Sequence, residues 1–263
     1  MMLAPPPMDS PVKTRVERAR DLARDISAKA SARADRLRYN LWCLPRSWRQ
    51  ARHAVKLLGS YRARGWFTSI SRSANVDADG RALPWLTYPA IDWLDSVLLA
   101  EDEVFEYGMG GSTVWMAERV AHVTSVEHKA EWARRFTLPA NVTVIVAECH
   151  GDKLYAEESD PYVATIRQSG RPFNVVLVDG RARLTCMEAA HRAIGSGGLI
   201  ILDNSDKPRY HPALQRMTDL GYLRIDFIGT RPLVDRFNCT SVFSRRIESW
   251  LSRTRRPPRS WGR

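Results

Sequence analysis

Two acids in this chain, Asp179 and Asp203, each follow an apolar run at the point where a strand should end. They stand in Leu177-Val-Asp-Gly-Arg-Ala-Arg183 and Leu202-Asp-Asn204. Adjacent strand ends in an open α/β sheet face a ligand crevice. Asp179, Asp203 and Asn204 together offer three oxygen ligands, a half-shell for Mg²⁺ or another hard divalent cation. Such an ion would lower the pKa of a substrate hydroxyl and orient it for reaction, which makes these three the candidate catalytic residues. The plainer reading is that Asp179 contacts another ligand or caps a helix, and that Asp203-Asn204 forms a turn. Arg181, Arg183, Arg209 and Tyr210 follow these strand ends, with Lys207 among them. Guanidinium groups there would hold an acidic substrate by paired hydrogen bonds. Surface salt bridging is the alternative. His150 has the right chemistry for a general base but also reads as structural.

A second group of residues lies in Val104-Phe-Glu-Tyr-Gly-Met-Gly-Gly-Ser-Thr113. A strand runs into Gly108, Gly110 and Gly111, and a helix follows from Ser112. Glycines let a ligand approach the backbone, and a helix start offers free N–H groups. Glu127 ends the next strand, at the distance from the turn where an acid accepts the hydroxyls of a ribose. Together they point to a nucleoside cofactor. A dinucleotide turn would want a third glycine near Thr113, and Glu106 just before the turn would repel a pyrophosphate. A cationic, phosphate-free cofactor fits better, and S-adenosylmethionine is one.

These residues need a scaffold. Apolar runs over 103–107, 123–127, 142–147, 174–178 and 199–202 read as strands. Helical stretches over 90–99, 112–120, 129–136, 160–168, 184–194 and 211–220 alternate with them. Alternation predicts a parallel sheet with right-handed crossovers. The last two strands, 222–228 and 239–243, are joined by about ten residues containing Pro232, which suits an antiparallel pair. The expected fold is therefore α/β, a Rossmann-like, doubly wound, mostly parallel sheet.

Glu106-x-Gly108-x-Gly110 followed by Glu127 resembles the first two motifs of class I S-adenosylmethionine-dependent methyltransferases, over roughly residues 84–243. The resemblance implies seven strands in the order 3-2-1-4-5-7-6 with strand 7 antiparallel. It implies that the turn Glu106, Tyr107, Gly108, Gly110, Gly111 and Ser112 lies along the methionine part, with Glu127 and His128 at the ribose. The acid near the adenine would be Glu148, where Ala147-Glu-Cys-His150 departs from the commoner pattern, and Asp179 would also touch the cofactor. The Asp179, Asp203, Asn204 spacing is similar to the metal site of catechol-type O-methyltransferases. Asp-Gly-Arg-x-Arg and Asp-Asn-x-x-x-x-Arg-Tyr are similar to sequences in methyltransferases of saccharide assembly. The implied activity is O-methylation of a small-molecule or saccharide hydroxyl. The competing readings are an NAD-type oxidoreductase and a non-enzymatic binding module.

The bulk composition fits one enzyme-sized domain with appendages. The chain has 263 residues, 44% hydrophobic and 26% charged. No apolar run is long enough to span a bilayer, and no secretory signal is legible. Four scattered cysteines, without a Cys-x-x-Cys pair, suit a reducing cytoplasm. The net charge of +11 is uneven: residues 1–72 hold 16 Lys and Arg against 5 Asp and Glu, and 244–263 hold 7 Arg against 1 Glu, while 73–243 hold 17 basic against 23 acidic residues. A basic helix over 13–38, with Trp42, Trp48, Trp66 and Phe67 after it, suits a solvated extension, a homodimer contact, or a seat on an anionic membrane at its inner face. Nucleic acid is a weaker fit. The expected domains are a basic helical extension at 1–80, the cofactor-binding domain at 81–244 and a basic, disordered tail at 245–263.

Overall fold

The structure is a computed structural model that describes residues 24–25, 29–35, 38, 44–168, 170 and 172–253. The described part of the expected 13–38 helix is helical, and the remainder of that helix and Trp42 lie outside the described residues. The chain divides into two compact units, Met1–Lys56 and Leu57–Arg263. In the larger unit a seven-stranded sheet has the order β3-β2-β1-β4-β5-β7-β6. Its strands are β1 Glu103–Tyr107, β2 His122–Glu127, β3 Val142–Val146, β4 Phe173–Val178, β5 Ile194–Asp203, β6 Leu223–Arg231 and β7 Val234–Ser244. The first five are mutually parallel, and β7 runs antiparallel to both β5 and β6. This is the expected fold. No helix among the described residues is long and apolar enough to cross a membrane.

The helices are α1 Trp48–Ala63, α2 Trp66–Arg72, α3 Tyr88–Val97, α4 Gly111–Ala117, α5 Ala130–Ala133, α6 Pro161–Gln168, α7 Arg183–Ala193, α8 His211–Asp219 and α9 Ile247–Leu251. The central strands are wholly buried along most of their length because helices cover both faces. One face packs Phe105, Val176, Ile200 and Phe243 against α6, α7 and α8. The other packs Val104, Val175, Leu199, Ile201 and Val242 against α3, α4 and Trp250 of α9.

Three sequence expectations change. The β6–β7 connection is the two-residue turn Pro232-Leu233, because both strands extend until Arg231 pairs with Val234. Strand β5, expected over 199–202, begins directly after α7 at Ile194 and takes in Gly195, Gly197 and Gly198. The first residues of the expected tail are ordered. Trp250 is fully buried and its indole Nε1 donates to the Gly197 carbonyl at 2.7 Å. Arg253 closes the segment by donating to both oxygens of the buried Asp102, at 2.8 and 3.0 Å. Residues 254–263 lie outside the described residues.

Candidate active site

The carboxyl ends of β1 and β4 lie side by side, so the turns leaving them must pass closely. The Asp179 N–H donates to the Tyr107 carbonyl at 3.1 Å. Gly108 has φ +100°, a conformation disfavoured for residues with a Cβ, and a Cβ there would stand 2.7 Å from Gly180 Cα. Gly111 is constrained by the segment before α3: its Cβ would meet the Leu83 carbonyl oxygen at 2.5 Å. Gly110 is different. Its backbone is extended, and a Cβ would meet only Ser112 Oγ, at 3.8 Å. Two of the three turn glycines are therefore required by neighbouring backbone, and the third faces a cavity.

Glu106 lies beneath this turn and is fully buried. Its Oε1 accepts from the Ser112 hydroxyl and its Oε2 from the Thr113 and Ser125 hydroxyls. Thr113 Oγ1 in turn accepts from the Gly110 N–H at 3.0 Å. This explains why Thr113 stands where a dinucleotide turn would have glycine: its hydroxyl joins the acid to the turn. Glu106 braces the turn from below and does not line the cavity. The Tyr107 side chain also points inward, its hydroxyl donating to the Val163 carbonyl at 2.8 Å.

Burial pushes the Glu106 carboxyl up to about 7, against the opposing pull of the three hydroxyls. The folded protein thus holds this proton more tightly than the unfolded chain, whose value is 4.5. Stability from this group is complete below about 4.5 and is lost as pH rises through about 7. Wild type should therefore lose roughly 3 kcal/mol relative to Glu106→Gln across that interval. Urea unfolding of both proteins between pH 4.5 and 8 checks this, and a pH-independent difference would contradict it.

Two cavities that share part of their walls open in front of the turn. The first, of about 480 Å³, is lined at one end by Glu127, His128 and Arg181 and at the other by Asp203, Arg209 and Arg231. The second, of about 490 Å³, runs past Gly110 to Asn75, Trp132 and Phe136. Trp85, Gly108, Met109 and Asp179 belong to both walls. Gly111 and Ser112 line the second.

Glu127 is buried at the end of β2. Its Oε1 accepts from the Lys129 N–H at 2.9 Å and from His128 Nδ1 at 2.8 Å. Burial lowers the His128 pKa against the raising pull of Glu127, so this contact is a hydrogen bond from a neutral ring. Oε2 has no partner among the described residues and is free to accept ribose hydroxyls. Asn75 Oδ1 is buried in the second cavity's wall without a hydrogen-bond partner, as an acceptor awaiting an ammonium group would be. With the open face of Gly110, these atoms fit the ribose and the amino acid end of S-adenosylmethionine. Glu148 and His150 are exposed and line neither cavity.

The metal expectation fares differently. Asp203 Oδ2 accepts from Arg231 Nη1 at 3.1 Å, and Oδ1 accepts from Thr240 Oγ1 at 3.0 Å. Arg183 donates to Asp179 Oδ1 at 2.7 Å, to the Asp179 carbonyl at 2.6 Å, to the Gly180 carbonyl at 3.1 Å and to the Asp203 carbonyl at 2.6 Å. Asn204, at φ +62°, turns its amide onto Asp203 and accepts from Lys207 Nζ through Oδ1. A cationic side chain thus takes one oxygen of each residue that was to hold a divalent ion: Arg183 on Asp179, Arg231 on Asp203 and Lys207 on Asn204. Asp179, Asp203 and Asn204 do not fit a metal site. Burial and the neighbouring Asp179 push Asp203 up to about 7, with Arg183 and Arg231 opposing. Burial likewise raises Asp179. Lys207 is lowered by burial and by Arg209, Arg183 and Arg231.

Of the expected substrate residues, Arg183 is engaged internally, and Tyr210 is a buried ring between Arg183 and Arg209, whose guanidinium carbons lie 5.3 and 5.2 Å from its centroid. Arg181 donates to the Gly151 carbonyl at 2.7 Å, and its buried Nε has no partner. Arg231, Trp85 and Asn75 are wall residues that sequence reasoning missed. Arg231 arrives from the far end of the chain because the β6–β7 hairpin tip is clasped by Trp85 and Trp66. Their indole N–H groups donate to the Pro232 and Val234 carbonyls, each at 3.0 Å. The Arg231 guanidinium stacks 4.5 Å from the Trp85 ring centroid.

No protein-family model matches the chain, and no curated protein matches it in sequence. Solved structures give weak likenesses. A methyltransferase-like protein from Silicibacter pomeroyi is 22% identical over 67% of this chain and 99% of its own, with a TM-score of 0.43. Cofactor-bound Rv0187 from MTB is 19% identical over 73% of this chain and 88% of its own, with a TM-score of 0.46. SMU.1697c from Streptococcus mutans, in complex with SAH, is 13% identical over 58% of this chain and 93% of its own, with a TM-score of 0.41. Scores this low carry no argument about function. The strand order itself, with β7 antiparallel between β5 and β6, gives this chain the class I methyltransferase fold.

Proposed function

We propose that the protein is an S-adenosylmethionine-dependent methyltransferase acting on a hydroxyl of a small-molecule or saccharide acceptor. The observation that carries this reading is the pairing of a free Glu127 oxygen with the open face of Gly110, on the two sides of one strand-end crevice. When bound, the cofactor supplies an electrophilic methyl group on sulfur. The chain's own work is placement. Glu127 fixes the ribose, Gly110 and Asn75 receive the amino acid end, and Asp179 borders both cavities between them. Asp179 is held by Arg183 through Oδ1 and hydrogen-bonds with Asp203, and from that fixed position it places an acceptor hydroxyl in line with the methyl–sulfur bond. Methyl transfer to that oxygen releases its proton, and burial makes the Asp179 carboxylate a better base for it.

Calorimetry with S-adenosylhomocysteine on wild type and Glu127→Ala tests the reading. Losing a charged acceptor worth about 1.5–3 kcal/mol should weaken binding roughly 10- to 100-fold. Absence of binding by wild type would sink it.

A further inference from the structure

The cations at the β5 end of the first cavity outnumber the acids that balance them. Arg183, Lys207, Arg209 and Arg231 line it there, facing Asp179 and Asp203. Asp179 is paired with Arg183 and Asp203 with Arg231. Lys207 donates to the neutral Asn204 amide, and Arg209 lies over the Tyr210 ring; neither has a carboxylate partner among the described residues. Arg231 is 5% exposed, and its buried Nε has no hydrogen-bond partner. A buried guanidinium donor left unpaired is costly unless something completes it. Its position is also fixed in advance, by Asp203 on one side and the Trp85 ring on the other. A fixed, partly unsatisfied guanidinium beside a lysine and an arginine without carboxylate partners is the recognition set for a carboxylate or phosphate.

We infer that the methyl acceptor carries an anionic group, a carboxylate or phosphate, seated against Arg231, Lys207 and Arg209. This rests on the methyltransferase reading for the word acceptor, but the anion site stands on its own residues. A bound S-adenosylmethionine would add a sulfonium charge near Asp179 and increase the excess of positive charge there. An anionic acceptor neutralises that excess, and its affinity should fall with added salt.

The test uses the full chain, with and without saturating S-adenosylhomocysteine, and ligand-observed NMR titrations of inorganic phosphate, glucuronate and glucose. Phosphate or glucuronate should bind at least tenfold tighter than glucose. Tighter phosphate than glucuronate marks a phosphate-bearing acceptor, and the reverse marks a carboxylate. The Lys207→Ala/Arg209→Ala double variant removes side chains at partly or fully exposed positions, so it should fold. It should weaken the preferred anion at least tenfold and leave S-adenosylhomocysteine affinity within twofold. The inference is overturned if neither anion binds better than glucose, or if the variant binds the anion as wild type does. Anion binding without S-adenosylhomocysteine binding would instead overturn the methyltransferase reading and keep the site.

Discussion

Replacing Gly108 with alanine should cost several kcal/mol of stability, whereas replacing Gly110, two residues on, should cost almost none and abolish cofactor binding. The left-handed backbone at Gly108 alone costs roughly 1–3 kcal/mol for a residue with a side chain. The larger cost is steric. A Cβ 2.7 Å from Gly180 Cα meets backbone, which cannot rotate away, so the β1 and β4 turns must separate. That movement breaks the Asp179-to-Tyr107 hydrogen bond and disturbs Glu106 and its three hydroxyls together. Gly110 has extended backbone that alanine adopts freely, and its added methyl enters the cavity. Chemical denaturation and S-adenosylhomocysteine calorimetry of both variants separate the two roles. Equal loss of stability in both would contradict the assignment.

Asp203→Ala should be among the most destabilising substitutions in the sheet, at about 3–5 kcal/mol. The carboxylate is 1% exposed and accepts from Arg231 and Thr240. Without it, the Arg231 guanidinium stays buried with the Trp85 carbonyl, 3.4 Å away, as its one remaining acceptor among the described residues, and Arg183 nearby adds repulsion. The double change Asp203→Leu/Arg231→Met should recover most of the loss, because it removes both charges and keeps the volume. Thermal unfolding should fall by about 6–20 °C for the single variant. A double variant no more stable than Asp203→Ala would show that packing, and not an unpaired charge, sets the cost.

The parallel sheet was legible because buried apolar runs such as Asn174–Val178 alternate with helical stretches, and the antiparallel closing pair because its connection is short; the strand order followed only from the resemblance carried by Glu106, Gly108, Gly110 and Glu127. Glu127 was legible for a similar reason: distance along the chain from a glycine turn fixes where a strand-end acid lies. Glu106 was placed correctly in sequence but given the wrong neighbours. Its charge suggested a ligand, yet Ser112, Thr113 and Ser125 take up both oxygens, and hydroxyls carry no sequence signal of whom they bond. The metal reading failed in the same manner. Asp179, Asp203 and Asn204 have metal-ligand spacing, but Arg231 lies 28 residues beyond Asp203 and nothing local announces that they meet. Asn75 and Trp85 were missed because the segment before α3 folds over the glycine turn, a tertiary contact without a periodic pattern.

The hairpin has a consequence for how the protein is made on the ribosome. Strand β6 reaches the sheet only through β7, which inserts between it and β5 although it is synthesised last. While β7 is still in the exit tunnel, a nascent chain has β5 as an open sheet edge carrying the apolar run Leu199–Leu202, with Asp203 at its tip lacking both Arg231 and Thr240. An exposed edge of this kind pairs readily with other chains. A transcript truncated between residues 204 and 234 should therefore yield aggregates rather than a smaller folded domain.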